Sequence, residues 1–367
     1  MLIGVDANEA NVKNRVGSGT HAFELLKQFA ELATSKHQFE IFLKEKPLED
    51  LPKENQNFKY KVFGPKKLWT QFALPLRLLG NKPDVFFSMT HYGPRFSRVP
   101  NVVTIYDLSY LHYPELFNKD DLYQLKSWSK YSIEGAKHII AISQSTKDDI
   151  IKNYGVSPSK ISVTYMGYDQ KLFKPQNKSK IDNIKKKYKI GGDYIIFVGT
   201  LQPRKNIERL IEAFAEVNSK IPDVELMIAG KKGWLFEPIF EKVKKLNLEK
   251  EIIFTDYVPD DDLPPLIAGA KVYILPSLWE GFGIPVIEAQ ACGVPVSVSE
   301  TSSLPEVVDK SGFTFDPEKV PEITSSLLVL LTDDKLRSML IEKGFKNVKR
   351  FSWEKCAKET LKILVSV

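Results

Sequence analysis

Cysteine is nearly missing from this chain of 367 residues: Cys292 and Cys356 are the only two, each in a helix-like segment. Two isolated thiols argue against a disulfide framework or a cysteine-held metal cluster, and they suit a reducing compartment. No run of about 18 or more consecutive apolar residues occurs, so a membrane-spanning helix is not expected. The opening residues, MLIGVDAN, lack the basic-then-apolar profile of a secretion signal, which makes the cytoplasm the expected location. A recognisable nucleic-acid module is missing too. The net charge of +6 is spread over helical faces such as IDNIKKKYK, so it favours anionic ligands in general, and nucleic acid is not expected as a partner.

Hydrophobic residues at 43% and charged residues at 27% are the proportions of a folded globular chain. The length exceeds what one hydrophobic core organises, roughly 250 to 300 residues, so two domains are expected. Short apolar runs alternate with amphipathic helical stretches, the pattern of parallel sheets covered by helices on both faces. The first series of strands reads LIGVDA, FEIFL, YKVF, DVFFS, VVTIY, HIIAIS and ISVTY, with helices over 21–32 and 121–136. The second reads YIIFVG, VELMIAG, EIIFTD, KVYILP, VPVSVS and FTFD, with helices over 207–220 and 285–292. This is an α/β fold of two Rossmann-like, doubly wound domains. Their expected bounds are 1–172 and 193–350, with a Lys- and Asn-rich linker or hinge over 173–192 closed by Gly191 and Gly192. The last stretch, 351–367, reads as an amphipathic helix with Trp353, Ala357, Leu361 and Leu364 on one face.

The strongest chemical signal is LPSLWEGFGIPVIEAQACGVP, a strand end, a glycine-containing loop and a helix start. Ligands of open α/β sheets bind at this carboxyl edge of the strands. Glu280 stands in the loop, Gly281 and Gly283 leave backbone amides approachable, and Glu288 follows about one turn into the helix. A carboxylate can accept from two neighbouring hydroxyls, so one Glu can hold a hexose and the other a ribose. The plainer alternative has Glu280 paired with a base and Glu288 on an exposed helix face. SSLPEV, with Ser303 and Leu304 at a helix start, offers backbone donors to a phosphate, or a helix capped by its own serines.

EGFGIPVIE, GTLQPRKNI over 199–207, SSLPEV over 302–307, YVPDDDL and the terminal FSWEKCAKETL together resemble the retaining family 4 glycosyltransferases of GT-B fold. The resemblance spans essentially the whole chain. It implies two Rossmann-like domains facing a cleft, a donor site mainly in the C-terminal half, and a C-terminal helix packing back on the N-terminal domain. It implies that Glu280 contacts the donor hexose, that Phe282 and Gly283 present amides to it, and that Glu288 binds the nucleotide ribose. Arg204 and Lys205 would hold the diphosphate. They follow YIIFVG at the sheet edge, where two cations can neutralise a leaving group that gains charge in the transition state. A solvent-facing charge run is the competing account of that pair.

In the N-terminal half, RVGSGTHAFELL places Gly17 and Gly19 after the first strand; in the resembled family this loop faces the donor phosphates and the acceptor. It is not a dinucleotide fingerprint, because Ala22 takes the third glycine's place and the next acidic residue, Glu40, begins its strand instead of ending it. VVTIYDLSYLHYPE puts Asp107 at a strand end, and Tyr106 where the family commonly has a His that positions the donor sugar. Tyr keeps a hydrogen bond but does not titrate near neutrality. His91 and His112 are weaker acceptor-side candidates, each equally readable as a loop or packing histidine. Asp260, Asp261 and Asp262 read as a helix cap, not as a metal site. No metal and no cofactor is expected, the nucleotide sugar being a co-substrate. The segment GPKKLWTQFALPLRLLG over 64–80 has a basic start and an apolar body; Pro75 and its match to a family helix favour ordinary packing, with docking at the inner membrane face left open.

The resemblance therefore implies transfer of a hexosyl group from GDP-mannose or a UDP-hexose to a hydroxyl of a glycan, lipid-linked or small-molecule acceptor, with retention of configuration. YDLSYLHYPE and GTLQPRKN resemble the mannosyltransferase branch of polysaccharide assembly. The alternatives are a sugar-nucleotide epimerase, and a non-catalytic sugar-nucleotide binding protein that lost turnover with the family His.

Overall fold

The computed structural model describes residues 1–80 and 82–367. The chain forms two compact units, Met1–Gly167 together with Phe351–Val367, and Tyr168–Arg350. The stretch 168–192, read from the sequence partly as the end of the first domain and partly as a linker, lies in the second unit.

The first unit is built on seven strands: β1 (Leu2–Asp6), β2 (Gln38–Leu43), β3 (Phe58–Val62), β4 (Val85–Ser88), β5 (Asn101–Ile105), β6 (His138–Ala141) and β7 (Ile161–Val163). All pair in parallel, in the order β3-β2-β1-β4-β5-β6-β7. Its helices are α1 (Ser18–Leu32), α2 (Leu74–Leu79), α3 (Ser109–His112), α4 (Lys119–Gly135) and α5 (Gln144–Tyr154). The central strand β4, VFFS, is buried at every residue, as expected of a parallel sheet with both faces covered. In α1, Ala22, Leu25, Leu26 and Phe29 recur at helical spacing and are fully buried, with Phe29 stacked on Phe39 at 5.0 Å. The helix starts at Ser18, three residues before the expected His21, because Gly17 at φ 54° turns the chain into it.

The second unit repeats the plan with six strands: β8 (Asp193–Val198), β9 (Val224–Ala229), β10 (Ile252–Phe254), β11 (Val272–Leu275), β12 (Val296–Ser299) and β13 (Gly312–Phe315). They are parallel, in the order β10-β9-β8-β11-β12-β13. Around them lie α6 (Lys178–Lys187), α7 (Ile207–Lys220), α8 (Glu237–Lys245), α9 (Leu263–Ala268), α10 (Ile284–Ala291), α11 (Leu304–Val308), α12 (Val320–Thr332) and α13 (Asp334–Asn347). In both sheets the first strand has its successor on one side and its fourth strand on the other, so the order reverses between β1 and β4 and between β8 and β11. Loops leaving these neighbours diverge and open a crevice at the carboxyl edge.

The chain re-enters the first unit at Phe351 and ends in α14 (Trp353–Ser366), which packs on α1. Trp353, Cys356, Ala357, Thr360 and Leu364 form its buried face. Gly167 sits where this return passes closest: a Cβ there would come 2.2 Å from the Trp353 nitrogen. Both cysteines are buried and free. Among the described residues no helix is long and apolar enough to cross a membrane.

Candidate functional site

The second sheet's crevice holds the charged residues. After β8 the chain makes a short turn, Pro203–Lys205, and Asn206 adopts a left-handed conformation at φ 58° to start α7. The buried Asn206 amide donates to Pro276 O at 3.0 Å and Pro317 O at 2.7 Å, which pins this turn to the loops after β11 and β13. The Leu278 amide also donates to Arg204 O at 2.9 Å. Arg204 and Lys205 therefore meet the β11 loop at fixed positions. Lys205 Nζ contacts Glu280 Oε1, Arg204 Nη1 lies 3.3 Å from Glu280 Oε2, and Arg204 also donates to Trp279 O. Burial alone would raise the Glu280 carboxyl, but the two cations outweigh it and hold it down at about 2.

The Glu280 loop is clamped by the residues after β12. Thr301 Oγ1 donates to Leu278 O at 3.0 Å, the Glu280 amide donates to Ser302 Oγ at 2.8 Å, and Ser303 Oγ donates to Glu280 O at 2.9 Å and Phe282 O at 3.0 Å. Neither Ser302 nor Ser303 caps α11 with its side chain, so the self-capped alternative for SSLPEV is not what forms. Leu304 is fully buried and packs where a Cβ on Gly283 would come 2.8 Å from its Cδ2. Gly283 itself has φ 106°, a conformation closed to other residues, and it starts α10. Phe282, beside it, is buried.

Glu288 lies in α10 on the same edge. Desolvation raises its carboxyl, with repulsion from Asp260 and Asp169 adding to it, to about 8. The two glutamates thus have opposite characters in the free protein, Glu280 ionised and Glu288 largely protonated at neutrality. The aspartate run is not the side-chain cap expected: Asp262 precedes α9 but accepts from Lys187 at 2.5 Å and Tyr188 at 3.0 Å, and α9 has no side-chain cap.

In the first unit, Gly17 and Gly19 follow β1; a Cβ on Gly17 would meet nothing within 4 Å, whereas one on Gly19 would come 3.2 Å from Glu9 O. Tyr106 directly follows β5, and its hydroxyl is already engaged. It donates to Met89 O at 2.8 Å, so its one proton is taken, and His21 Nδ1 at 2.9 Å must donate to it. That tautomer leaves His21 Nε2 as the acceptor facing Cys356 Sγ of α14 at 3.8 Å. Burial pulls His21 down to about 3 and pushes the Tyr106 phenol well above its usual range. The Tyr106 hydroxyl, expected on the acceptor side, serves a buried chain here, Cys356 to His21 to Tyr106 to Met89.

His91 stacks on Tyr106 with centroids 5.6 Å apart and accepts the Tyr106 amide proton on Nε2 at 3.0 Å. Burial, opposed by Asp107, lowers it below the usual histidine range, so the ring is neutral and Nδ1 carries the proton. Nδ1 is buried and has no protein partner among the described residues. Asp107 accepts from the Ser109 amide at 2.8 Å and its hydroxyl at 2.5 Å, which shapes the turn into α3. His112 is drawn away to Asp149, at 2.8 and 2.9 Å, and acts as a packing histidine. Residues that the sequence reading missed are His21, Asn206 and the Thr301–Ser302 part of the clamp. Asn206 alone had a local signal, an Asn directly after the Arg-Lys pair at a helix start.

Two known families match the chain: "Glycosyltransferase Family 4" over residues 16–172 and "Glycosyl transferases group 1" over residues 180–347. The O-antigen chain mannosyltransferase B of Escherichia coli is 33% identical over 281 residues, covering 74% of this chain and 72% of that protein. The serotype-specific mannosyltransferase WbdA of the same organism is 29% identical over 61% of this chain, which spans only 28% of its length. Among solved structures, Anabaena Alr3699/HepE in complex with UDP-glucose superposes with a TM-score of 0.79 at 18% identity, covering 100% of this chain and 99% of that one, a likeness of fold. With two parallel Rossmann-like sheets and matches running through both units, the chain belongs to the family 4 glycosyltransferases of GT-B fold.

Proposed function

We propose that this protein transfers a hexosyl group, in the first instance mannose from GDP-mannose, to a hydroxyl of a glycan or lipid-linked acceptor with retention of configuration. The observation that carries this reading is the meeting of Glu280 with Arg204 and Lys205 where the second sheet's strand order reverses. Both cations take the donor diphosphate, Glu280 accepts from hexose hydroxyls beside the Phe282 and Gly283 amides, and ionised Glu288 accepts from the ribose. Ser303 and Leu304 serve by holding that loop. The bond from the anomeric carbon to the diphosphate breaks, and its electron pair stays on the phosphate oxygen, where the two cations neutralise it. The acceptor oxygen bonds to the anomeric carbon and its proton passes to the departing diphosphate. Two fixed cations do what a divalent ion would otherwise do, so transfer proceeds in EDTA.

At the first unit's edge, the His91 Nδ1–H takes the donor role left open by the engaged Tyr106 hydroxyl, giving a hydrogen bond to a substrate oxygen. Asp107, beside it, orients this edge, with Gly17 and Gly19 keeping backbone close to the ligand. A lipid-linked acceptor would bring the protein to the inner membrane face as a peripheral enzyme. The deciding measurement is a thermal-shift panel of UDP-, GDP-, ADP- and dTDP-sugars, because a ligand that binds only the native state stabilises it by mass action. Stabilisation by GDP-mannose followed by transfer to an acceptor supports the reading. Stabilisation without transfer or hydrolysis would make the chain a binding protein.

A further inference from the structure

The segment 64–80 packs and exposes in equal measure. Trp69, Ala73, Leu74 and Leu78 are buried against Phe42 and Phe86. On the outer side Leu68 is 50%, Phe72 55%, Leu76 65% and Leu79 62% exposed, at spacings of four, four and three residues. The neighbouring loop joins this face, since the Arg95 amide donates to Thr70 O at 2.9 Å, and it carries Phe96 at 80% exposure. Two of these side chains stand on strained backbone: Leu68 has φ 53° and Phe96 φ 56°, left-handed conformations unusual for bulky residues. Neither the strain nor the exposure stabilises the folded unit in water, and strained positions cluster where a protein engages something.

The charge around this face is mostly basic. From Lys59 to Pro83 the chain has six Lys or Arg and no Asp or Glu, and Arg95 and Arg98 follow in the loop; Lys61 and Arg77 pair with Glu40 and Lys66 pairs with Glu45. Lys67, Lys82 and Arg98 are exposed. A second copy of the chain would bring like charge against like, whereas an anionic lipid surface complements it. Apolar side chains rimmed by cations are what an interfacial segment needs, with the rings in the acyl boundary and the cations at the headgroups.

We propose that this face docks the protein on an anionic lipid bilayer, with Phe72, Leu76 and Phe96 entering the interface and Lys67 and Arg98 at the headgroups. The inference deepens the peripheral role in the proposed function and rests on it. The test is co-sedimentation of the full chain with vesicles of phosphatidylcholine and of an equimolar phosphatidylcholine and phosphatidylglycerol mixture, with donor-sugar thermal shifts measured on the same preparations. Binding is expected only to the anionic vesicles, weakening with salt. Lys67→Gln and Arg98→Gln should each reduce it by about fivefold. Phe72→Ser with Leu76→Ser should abolish it while the donor-sugar shift persists. Equal binding by that double variant, or no binding by the wild type, overturns the proposal. So does self-association that the double variant removes, which would assign the face to a second copy. A missing donor shift is a failure of the transferase reading, not of the docking surface, and the two readouts separate them.

Discussion

Glu280 and Lys205, 75 positions apart in the chain, form an ion pair in which the carboxylate is 8% exposed, and Arg204 approaches its other oxygen at 3.3 Å. The cations assigned to the diphosphate are thus already half neutralised from within. On the proposed reading an incoming diphosphate would compete with Glu280 for them, and the oxygens it displaces would become available to hexose hydroxyls. A donor carrying both groups satisfies both sides of the exchange, whereas a free nucleotide satisfies one.

Glu280→Gln should therefore separate two effects. Transfer is expected to fall by about 10² to 10³, the usual loss for one group acting in the transition state. Affinity for the free nucleoside diphosphate is expected to rise by roughly tenfold, equivalent to about 1.4 kcal/mol. Calorimetry of nucleoside diphosphate binding checks the second effect, and unchanged affinity would remove Glu280 as an internal competitor.

Glu288 should make nucleotide binding proton-linked. Its carboxyl stands at about 8 in the free protein, and two ribose hydroxyls favour the ionised form, so binding at neutral pH should release up to one proton. Titrations in buffers of different ionisation enthalpy measure this directly. Glu288→Gln should bind nucleotide with no such release, and an equal release in that variant would place the proton elsewhere.

The same two residues set opposite pH dependences of stability. Glu288 is raised, so its contribution is complete below about 4.5 and is lost as pH rises through about 8. Glu280 is lowered, so its contribution is present above about 4.5 and is lost as pH falls toward about 2. Urea midpoints across pH should show Glu288→Gln flattening the alkaline side and Glu280→Gln flattening the acid side.

Gly283→Ala should destabilise by about 1 to 3 kcal/mol, because the backbone is left-handed at φ 106° and the new methyl meets Leu304 at 2.8 Å. Gly135→Ala is the matched control. It ends a helix with nothing within 4 Å of the added carbon, and should be neutral or stabilising by less than about 1 kcal/mol. Equal midpoints for the two variants in urea would contradict the strain at position 283.

Tyr106→Phe and His91→Phe should fail in different ways. The first leaves His21 Nδ1–H and Met89 O without their partner, a cost of about 1 to 3 kcal/mol in stability with turnover largely kept. The second removes the acceptor of the Tyr106 amide, a similar cost of about 1 to 3 kcal/mol, but it alone should also lower kcat by about tenfold or more, the loss of one donor to the substrate. A kcat loss in Tyr106→Phe and none in His91→Phe would return the substrate role to Tyr106.

Sequence alone determined the layout. Apolar runs such as VFFS and VYIL mark strands covered on both faces, and the thirteen strands among the described residues lie where the alternation of short runs with amphipathic stretches places them. It also singled out the loop that carries Glu280, because glycines beside a glutamate at a strand end are a local pattern. Tertiary structure decided the rest. That Glu280 is paired, that Tyr106 is engaged by a His 85 residues away, and that His112 is drawn to Asp149 are contacts between distant segments, and these leave no periodic trace in composition or spacing. The contrast between the two glutamates has the same origin. Both are Glu in one motif, and only the folded surroundings, two cations for one and burial beside two carboxylates for the other, set which of them is charged.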